Sequence, residues 1–290
     1  MPCPTYPEIR LALAPGRRLT QLLDEFRPDA IHLSTEGPLG WAARNLCMKR
    51  GWPFTTSFHT MFPDYVHARF RVPRAWSWEL LRLFHAPSSG VFVATRSIRE
   101  QLLSRGFQNL VPWSRGVDTE LFRPRPRPLE LGNGPVFLSV GRVAVEKNVS
   151  AFLALDLPGT KVVVGDGPQR AQLQARHPEA RFLGAKFGDE LAAAFAAADV
   201  FVFPSRTDTF GLVMVEALAC GTPVAAFPVP GPLDVIADSG AGVLSEDLRT
   251  AALKALEIPR ALCRAYAETF SWRACAEVFA SSLVPLSQPA

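Results

Sequence analysis

Phe203-Pro204-Ser205-Arg206-Thr207-Asp208-Thr209-Phe210-Gly211-Leu212-Val213-Met214-Val215-Glu216-Ala217-Leu218-Ala219-Cys220-Gly221-Thr222-Pro223 sets two carboxylates, Asp208 and Glu216, eight positions apart across a strand-to-helix junction. Just upstream, Asp199-Val200-Phe201-Val202-Phe203 is a short β-rich apolar run and reads as a buried strand. Phe210 to Ala219 has helical apolar spacing, and Cys220-Gly221 followed by Pro223 is a helix stop signal. Asp208 is then expected just before the first helical turn, with Glu216 about two turns further along. The free N–H groups of Phe210, Gly211 and Leu212 would point out of the helix start, where they can receive an anion such as a diphosphate. Gly211 would let that ligand approach the backbone closely. Carboxylates accept hydrogen bonds from hydroxyls while the helix end takes the charge, so the pair suits a ligand that is part sugar and part phosphate. Read in isolation, the same two residues are an N-cap and a solvated helix acid.

At 290 residues the chain has room for two ordinary domains or one large one. Its 48% hydrophobic and 20% charged content is that of a soluble globular protein. The net charge of +4 comes without a basic helix or a recognised module, so nucleic acid is not an expected partner. Cys3, Cys47, Cys220, Cys263 and Cys275 are scattered and form no Cys-x-x-Cys, which argues for reduced thiols in a cytoplasmic protein and against zinc or disulfides. Met1 to Pro7 is no signal peptide, and the most apolar run, Leu191 to Phe203, is interrupted by Asp199 and too short to span a bilayer.

Short β-rich runs alternate with helical stretches, which predicts an α/β protein with parallel sheets of βαβ units. The strand candidates are Ala30–Leu33, Phe54–Phe58, Gly90–Ala94 and Asn109–Val111, then Val136–Val140, Lys161–Gly165, Arg181–Gly184, Val200–Phe203 and Val224–Phe227. Between the two sets lies Phe122-Arg123-Pro124-Arg125-Pro126-Arg127-Pro128, whose alternating prolines cannot sit inside a helix or a central strand; it reads as a linker. Domains are therefore expected at 1–122 and 135–265, joined by 123–134. Ser271 to Phe279 reads as a capped amphipathic helix within a last segment, 266–290.

Two further features carry chemistry. Arg142 and Lys147 come after the strand Val136–Val140, where cations could grip a diphosphate and stabilise charge on a leaving oxygen; as bare residues they are also ordinary surface cations of a βα loop. His59, after Phe54–Phe58, is by itself more often a structural histidine than an active-site one.

Asp208-Thr209-Phe210-Gly211-Leu212 with Glu216, and Gly141-Arg142-Val143-Ala144-Val145-Glu146-Lys147-Asn148, resemble the signatures of the family-4 retaining glycosyltransferases (glycosyl transferases group 1), in particular GDP-mannose-dependent α-mannosyltransferases. The resemblance implies a GT-B fold, two Rossmann-like domains facing a cleft with the last helix crossing back to the first. It implies that Arg142 and Lys147 hold the donor diphosphate, with Gly141 in the same motif. Glu216 would contact the ribose, and Asp208 and His59 the sugar. Gly165-Asp166-Gly167 would line the nucleotide pocket, and Ala185 and Lys186, after Gly184, would meet the base. The donor would be GDP- or UDP-linked and no metal is expected, there being no Asp-x-Asp. The acceptor would be a lipid or a glycan. Asp208 is shorter than the glutamate usual in the family. The chain also begins at a segment, Pro2 to Ile9, that resembles a part of the family lying after its first strands. A first domain lacking its initial strands and one wall of the site is therefore expected.

Arg69-Phe70-Arg71-Val72-Pro73-Arg74-Ala75-Trp76-Ser77-Trp78-Glu79-Leu80-Leu81-Arg82 has two readings. It could hold a peripheral protein at the inner membrane face. Alternatively it is a helix that buries Trp76, Leu80 and Leu83 and solvates its arginines. For the whole chain the readings are hexosyl transfer, nucleotide-sugar binding without catalysis, and another GT-B reaction such as sugar-nucleotide epimerisation, against which the Asp208–Glu216 motif with Gly141-Arg142 argues.

Overall fold

The computed structural model describes residues 2–3, 6–10, 12, 14–126, 129–208 and 210–286, with only the backbone described for 2–3, 6–10, 65 and 68–70. Thr209, Arg127, Pro128 and the side chains of Arg69 and Phe70 therefore lie outside the described residues. The chain divides into two compact units, one formed by the described parts of Met1–Ser114 and Ala276–Ala290, the other by Arg115–Cys275.

The first unit opens with an antiparallel pair, β1 (Pro2–Cys3) and β2 (Tyr6–Arg10). Its main sheet is parallel, with β3 (His32–Leu33), β4 (Thr55–Phe58), β5 (Gly90–Val93) and β6 (Leu110–Pro112) side by side in chain order. The connecting helices are α1 (Gly16–Phe26) before β3, α2 (Pro38–Arg50), α3 (Phe62–Phe70) with α4 (Arg74–His85), and α5 (Arg96–Ser104). Residues Thr55, Thr56 and Ser57 of β4 are buried although polar, so each hydroxyl needs a partner. Two histidines supply them. His32 sits with Nδ1 2.8 Å from Thr55 Oγ1 and Nε2 2.7 Å from Ser57 Oγ. His85 lies with Nδ1 2.8 Å from Thr56 Oγ1 and Nε2 3.2 Å from Glu36 Oε1. Burial pushes the pKa of His32 down to about 4.

The second unit holds β7 (Val136–Val140), β8 (Thr160–Val164), β9 (Arg181–Gly184), β10 (Val200–Phe203), β11 (Val224–Ala226) and β12 (Gly242–Leu244), all parallel, in the order β12-β11-β10-β7-β8-β9. Its helices are α6 (Val149–Leu153), α7 (Arg170–Arg176), α8 (Gly188–Ala197), α9 (Leu212–Ala219), α10 (Pro230–Ile236), α11 (Leu248–Ala255) and α12 (Arg260–Ala267). Every residue of β10 is buried and apolar, the pattern of a strand covered on both faces. The order runs outward from β7 in one direction and from β10 in the other, so these two neighbours flank the switch point at which doubly wound sheets bind ligands. β12, only three half-buried residues, escaped the sequence reading.

The proline-rich run belongs to the second unit. Phe122 is 7% exposed and packs edge-on to Phe195 at 6.1 Å, while Arg125 donates to the Leu121 carbonyl and to Asp189, both at 2.8 Å. The units accordingly divide at Ser114 and Cys275 rather than at 122 and 265. The points where the chain enters and leaves the second unit lie together: Val117 N–H donates to the Phe270 carbonyl at 3.2 Å, and a Cβ on Gly116 would lie 2.4 Å from the Trp272 backbone. α13 (Trp272–Ser281) comes next, with Ser271 Oγ accepting from the Ala274 N–H at 3.3 Å as the capped-helix pattern requires. From Ala276 on, its residues group with the first unit, where Phe279 meets His32, Trp113 and Phe92 with ring centroids 4.9, 5.1 and 5.3 Å away.

Candidate functional site

At the carboxyl ends of β7 and β10 a pocket is lined by Ser139, Gly141, Arg142, Lys147, Pro204 and Ser205, among others. Lys147 closes a 3₁₀ turn, and its Nζ lies 2.5 Å from Asp208 Oδ1 on the loop after β10. The two side chains are 26% and 17% exposed. The other carboxylate oxygen of Asp208, Oδ2, is buried and without a hydrogen-bond partner among the described residues. Such an oxygen carries a desolvation cost of about 1–3 kcal/mol that a ligand hydroxyl would remove.

Polar bonds stitch the loop after β7 to the loop after β10. Asn148 Nδ2 donates to the Pro204 carbonyl at 3.1 Å, and Ser205 Oγ to the Glu146 carbonyl at 3.3 Å. The glycines after β8 lock the first of these loops from its other side. A Cβ on Gly165 would lie 1.8 Å from the Gly141 oxygen, and one on Gly167 would lie 2.5 Å from the Val143 oxygen. Without those Cβ atoms the backbones pair directly, Gly141 N–H to Val164 O and Val143 N–H to Asp166 O, both at 2.9 Å. Gly165 and Gly167 thus hold the strand-end loop that carries Arg142.

The helix start differs in detail from the sequence expectation. α9 begins at Leu212, with Gly211 as its N-cap at φ 79°. Phe210 precedes the helix and is buried at 6%, its ring 6.2 Å from Phe270, so its N–H is not one of the first-turn donors. A Cβ on Gly211 would lie 2.8 Å from Met214 Cε and 3.0 Å from Phe203 Cζ. The positive φ favours glycine there, while Met214 Cε is the movable end of a flexible side chain that can give way. Gly231, which sequence reasoning missed, lets α10 close on the same loop: its Cβ would lie 2.8 Å from the Asp208 carbonyl oxygen. Nothing short of the contact itself marks that glycine, although the flanking Pro230 and Pro232 flag a constrained backbone.

Glu216 lies on α9, half-buried, and burial raises its pKa to about 7. α12 secures the end of that helix: Arg264 donates to Ala219 O at 3.0 Å and Arg260 to Cys220 O at 3.4 Å. At the end of β9, Gly184 O accepts from the Gly165 N–H at 2.8 Å, Ala185 is exposed, and Lys186 pairs with Glu190 at 2.9 Å, one turn along. His59 belongs to the first unit, just past the carboxyl end of β4, half-buried with its ring 6.0 Å from Trp113. The structure therefore gathers Gly141, Arg142, Lys147 and Asp208 at the switch point. Ala185 and Lys186 stand at the end of β9.

No helix of the described residues is long and apolar enough to cross a membrane. The chain matches the Glycosyltransferase Family 4 domain over residues 1–121 and the Glycosyl transferases group 1 domain over residues 134–258. It is 34% identical over 261 residues to a sulfoquinovosyl transferase of Arabidopsis thaliana, covering 83% of this chain and 51% of that protein. It is also 34% identical over 242 residues to a GDP-mannose-dependent alpha-mannosyltransferase of Mycobacterium tuberculosis, covering 79% and 63%. The chain thus spans between half and two thirds of the length of these relatives. Among solved structures, a sucrose-phosphate synthase from Thermosynechococcus elongatus superposes with a TM-score of 0.77 at 22% identity, over 91% of this chain and 75% of that one. HepE of Anabaena, solved with UDP and glucose, gives 0.74 at 17%, over 94% and 83%. These neighbours share the GT-B architecture of parallel-sheet α/β units. With both family domains in order along the chain, residues 1–121 and 134–258, the protein belongs to the family-4, group-1 glycosyltransferases.

Proposed function

We propose that the protein transfers a hexose from a nucleotide-sugar donor to a lipid or glycan acceptor. The observation that carries this reading is the Lys147–Asp208 pair beside Arg142, with one buried carboxylate oxygen left for a ligand hydroxyl. Arg142 and Lys147 bind the diphosphate and stabilise the charge that develops as it leaves, which supplies the electrophilic assistance without a metal. Asp208 Oδ2 accepts from a sugar hydroxyl, and Glu216 takes the ribose hydroxyls. His59 approaches the transferred sugar. The anomeric configuration is retained, the departing phosphate taking the acceptor proton. Relatives named GDP-mannose-dependent alpha-mannosyltransferases favour mannose and GDP, and the buried, undisulfided thiols Cys47, Cys220 and Cys263 suit the cytoplasm.

The test is donor turnover with GDP-mannose and UDP-glucose, in the presence of EDTA, for the wild type, Asp208→Asn and Lys147→Ala. Unchanged turnover in either variant would overturn the site. A second reading has its own support: Arg142, Lys147, Asp208 and Glu216 all lie in the second unit, so donor binding can exist without transfer. Calorimetric binding of a nucleotide sugar with no turnover on any acceptor would favour a binding protein.

A further inference from the structure

Helix α4 is amphipathic twice over. Trp78, Leu81 and Phe84 are buried at 7%, 4% and 0%, packing into the first unit. Trp76, Leu80 and Leu83, at i, i+4 and i+7, form a second apolar stripe on the opposite side, exposed at 73%, 54% and 56%. The reading in which these three enter the core is thereby overturned: the core-facing stripe is the other one. A continuous exposed stripe of a tryptophan and two leucines on one helix is an interaction surface.

Its charges say with what. Exposed Arg71 and Arg74 stand before or at the start of the helix, and exposed Arg82 stands near its end. Arg105 is anchored alongside, its guanidinium 4.2 Å over the Trp78 ring. The neighbouring carboxylates are Asp64, paired with Arg74 at 2.6 Å, and Glu79, paired with Arg82 at 2.7 Å. Four arginines against two acids leave the surround positive at both ends of the stripe. A second copy of the chain docking through this stripe would set arginines against arginines, since a two-fold contact repeats the same patch on both sides. An anionic surface meets no such repulsion. We propose that α4 lies in the plane of an anionic bilayer, with Trp76, Leu80 and Leu83 inserted at the headgroup boundary and the arginines facing lipid phosphates.

The experiment is co-sedimentation of the full chain with vesicles of phosphatidylcholine alone or with about 30% phosphatidylglycerol, a typical anionic content. It is run for the wild type and for the triple variant Trp76→Ser, Leu80→Ser, Leu83→Ser. All three substitutions are at exposed positions, and unchanged circular dichroism and nucleotide affinity check the fold. Expected are binding to the anionic vesicles, weakening as salt rises, and a loss of roughly tenfold or more in the variant. Equal pelleting of variant and wild type, no dependence on phosphatidylglycerol, or a dimer in light scattering that the variant breaks would each overturn the proposal. None of these outcomes depends on whether the site in the second unit turns over a donor.

Discussion

In the second unit β10 is apolar from end to end, and polar chemistry begins only where the strand stops; in the first unit β4 carries three buried hydroxyls along its length. The apolar strand needs no side-chain partners, so the loops beyond it are free to concentrate charge, and they hold Arg142, Lys147 and Asp208. The polar strand commits the neighbouring side chains His32, His85 and Glu36 to satisfying it. The strand orders differ as well. Reversal between β7 and β10 opens a crevice at a switch point, whereas β3 to β6 run in chain order, with no reversal among the described strands of that sheet. One sheet gathers its charge at the strand ends and the other holds an internal polar layer.

The largest expected effect separates the two units by function. Lys147→Ala should cut transfer by two to three orders of magnitude, roughly the worth of a fixed charge at a leaving group. His59→Ala should leave the affinity for the nucleoside diphosphate unchanged in calorimetry. If His59→Ala abolished diphosphate binding, the division of labour would fail.

Gly165→Ala should come next. With its Cβ 1.8 Å from the Gly141 oxygen and a φ of 142°, the variant should lose more than about 3 kcal/mol in urea unfolding followed by circular dichroism. A loss under about 1 kcal/mol would show that the glycine does not lock the loops.

The third prediction concerns pH, where the units carry opposite signs. The folded pKa of His32, about 4, stands below the ordinary 6.5. Its contribution is whole above pH 6.5 and is lost as pH falls towards 4, by up to about 3 kcal/mol. Glu216 is raised from 4.5 to about 7, so its burial costs stability as pH rises through that window, by a similar amount. Five of the six tryptophans, all but Trp272, lie in the first unit, so fluorescence-detected unfolding should show it weakening in acid. Glu216→Gln should stabilise the second unit above pH 7, as seen by circular dichroism, while weakening donor binding. Acid weakening in both units alike would erase the contrast.

The smallest effect is expected for Ser205→Ala, about 1 kcal/mol from the lost bond to the Glu146 carbonyl. A modest rise in KM for donor should accompany it as the two loops loosen.

Much of this was legible in the residues. Val200–Phe203 and Val136–Val140 announced themselves as buried strands by composition, whereas Arg142, Lys147 and Asp208 stood out only through the family motifs around them, since as bare residues they read as surface cations and a cap. What stayed hidden depends on which distant backbones meet. Gly231 looks like any loop glycine until the Asp208 carbonyl is set against it, and Gly165 until Gly141 is. The hydroxyls of β4 give no sign of their partners until His32 and His85 are brought to them from 23 and 29 positions away. On α4 the period was plain, but two apolar stripes share it, and sequence alone does not say which one faces inward.

Finally, the chain enters the second unit beside the place where it leaves, with Val117 bonded to Phe270 and Gly116 against Trp272. In topological terms that unit is a guest spliced into a host, its ends already meeting as they would in a free-standing domain. A segment cut at those crossings begins and ends at one point on its own surface. Arg142, Lys147 and Asp208 all lie within that segment and keep their mutual contacts inside it.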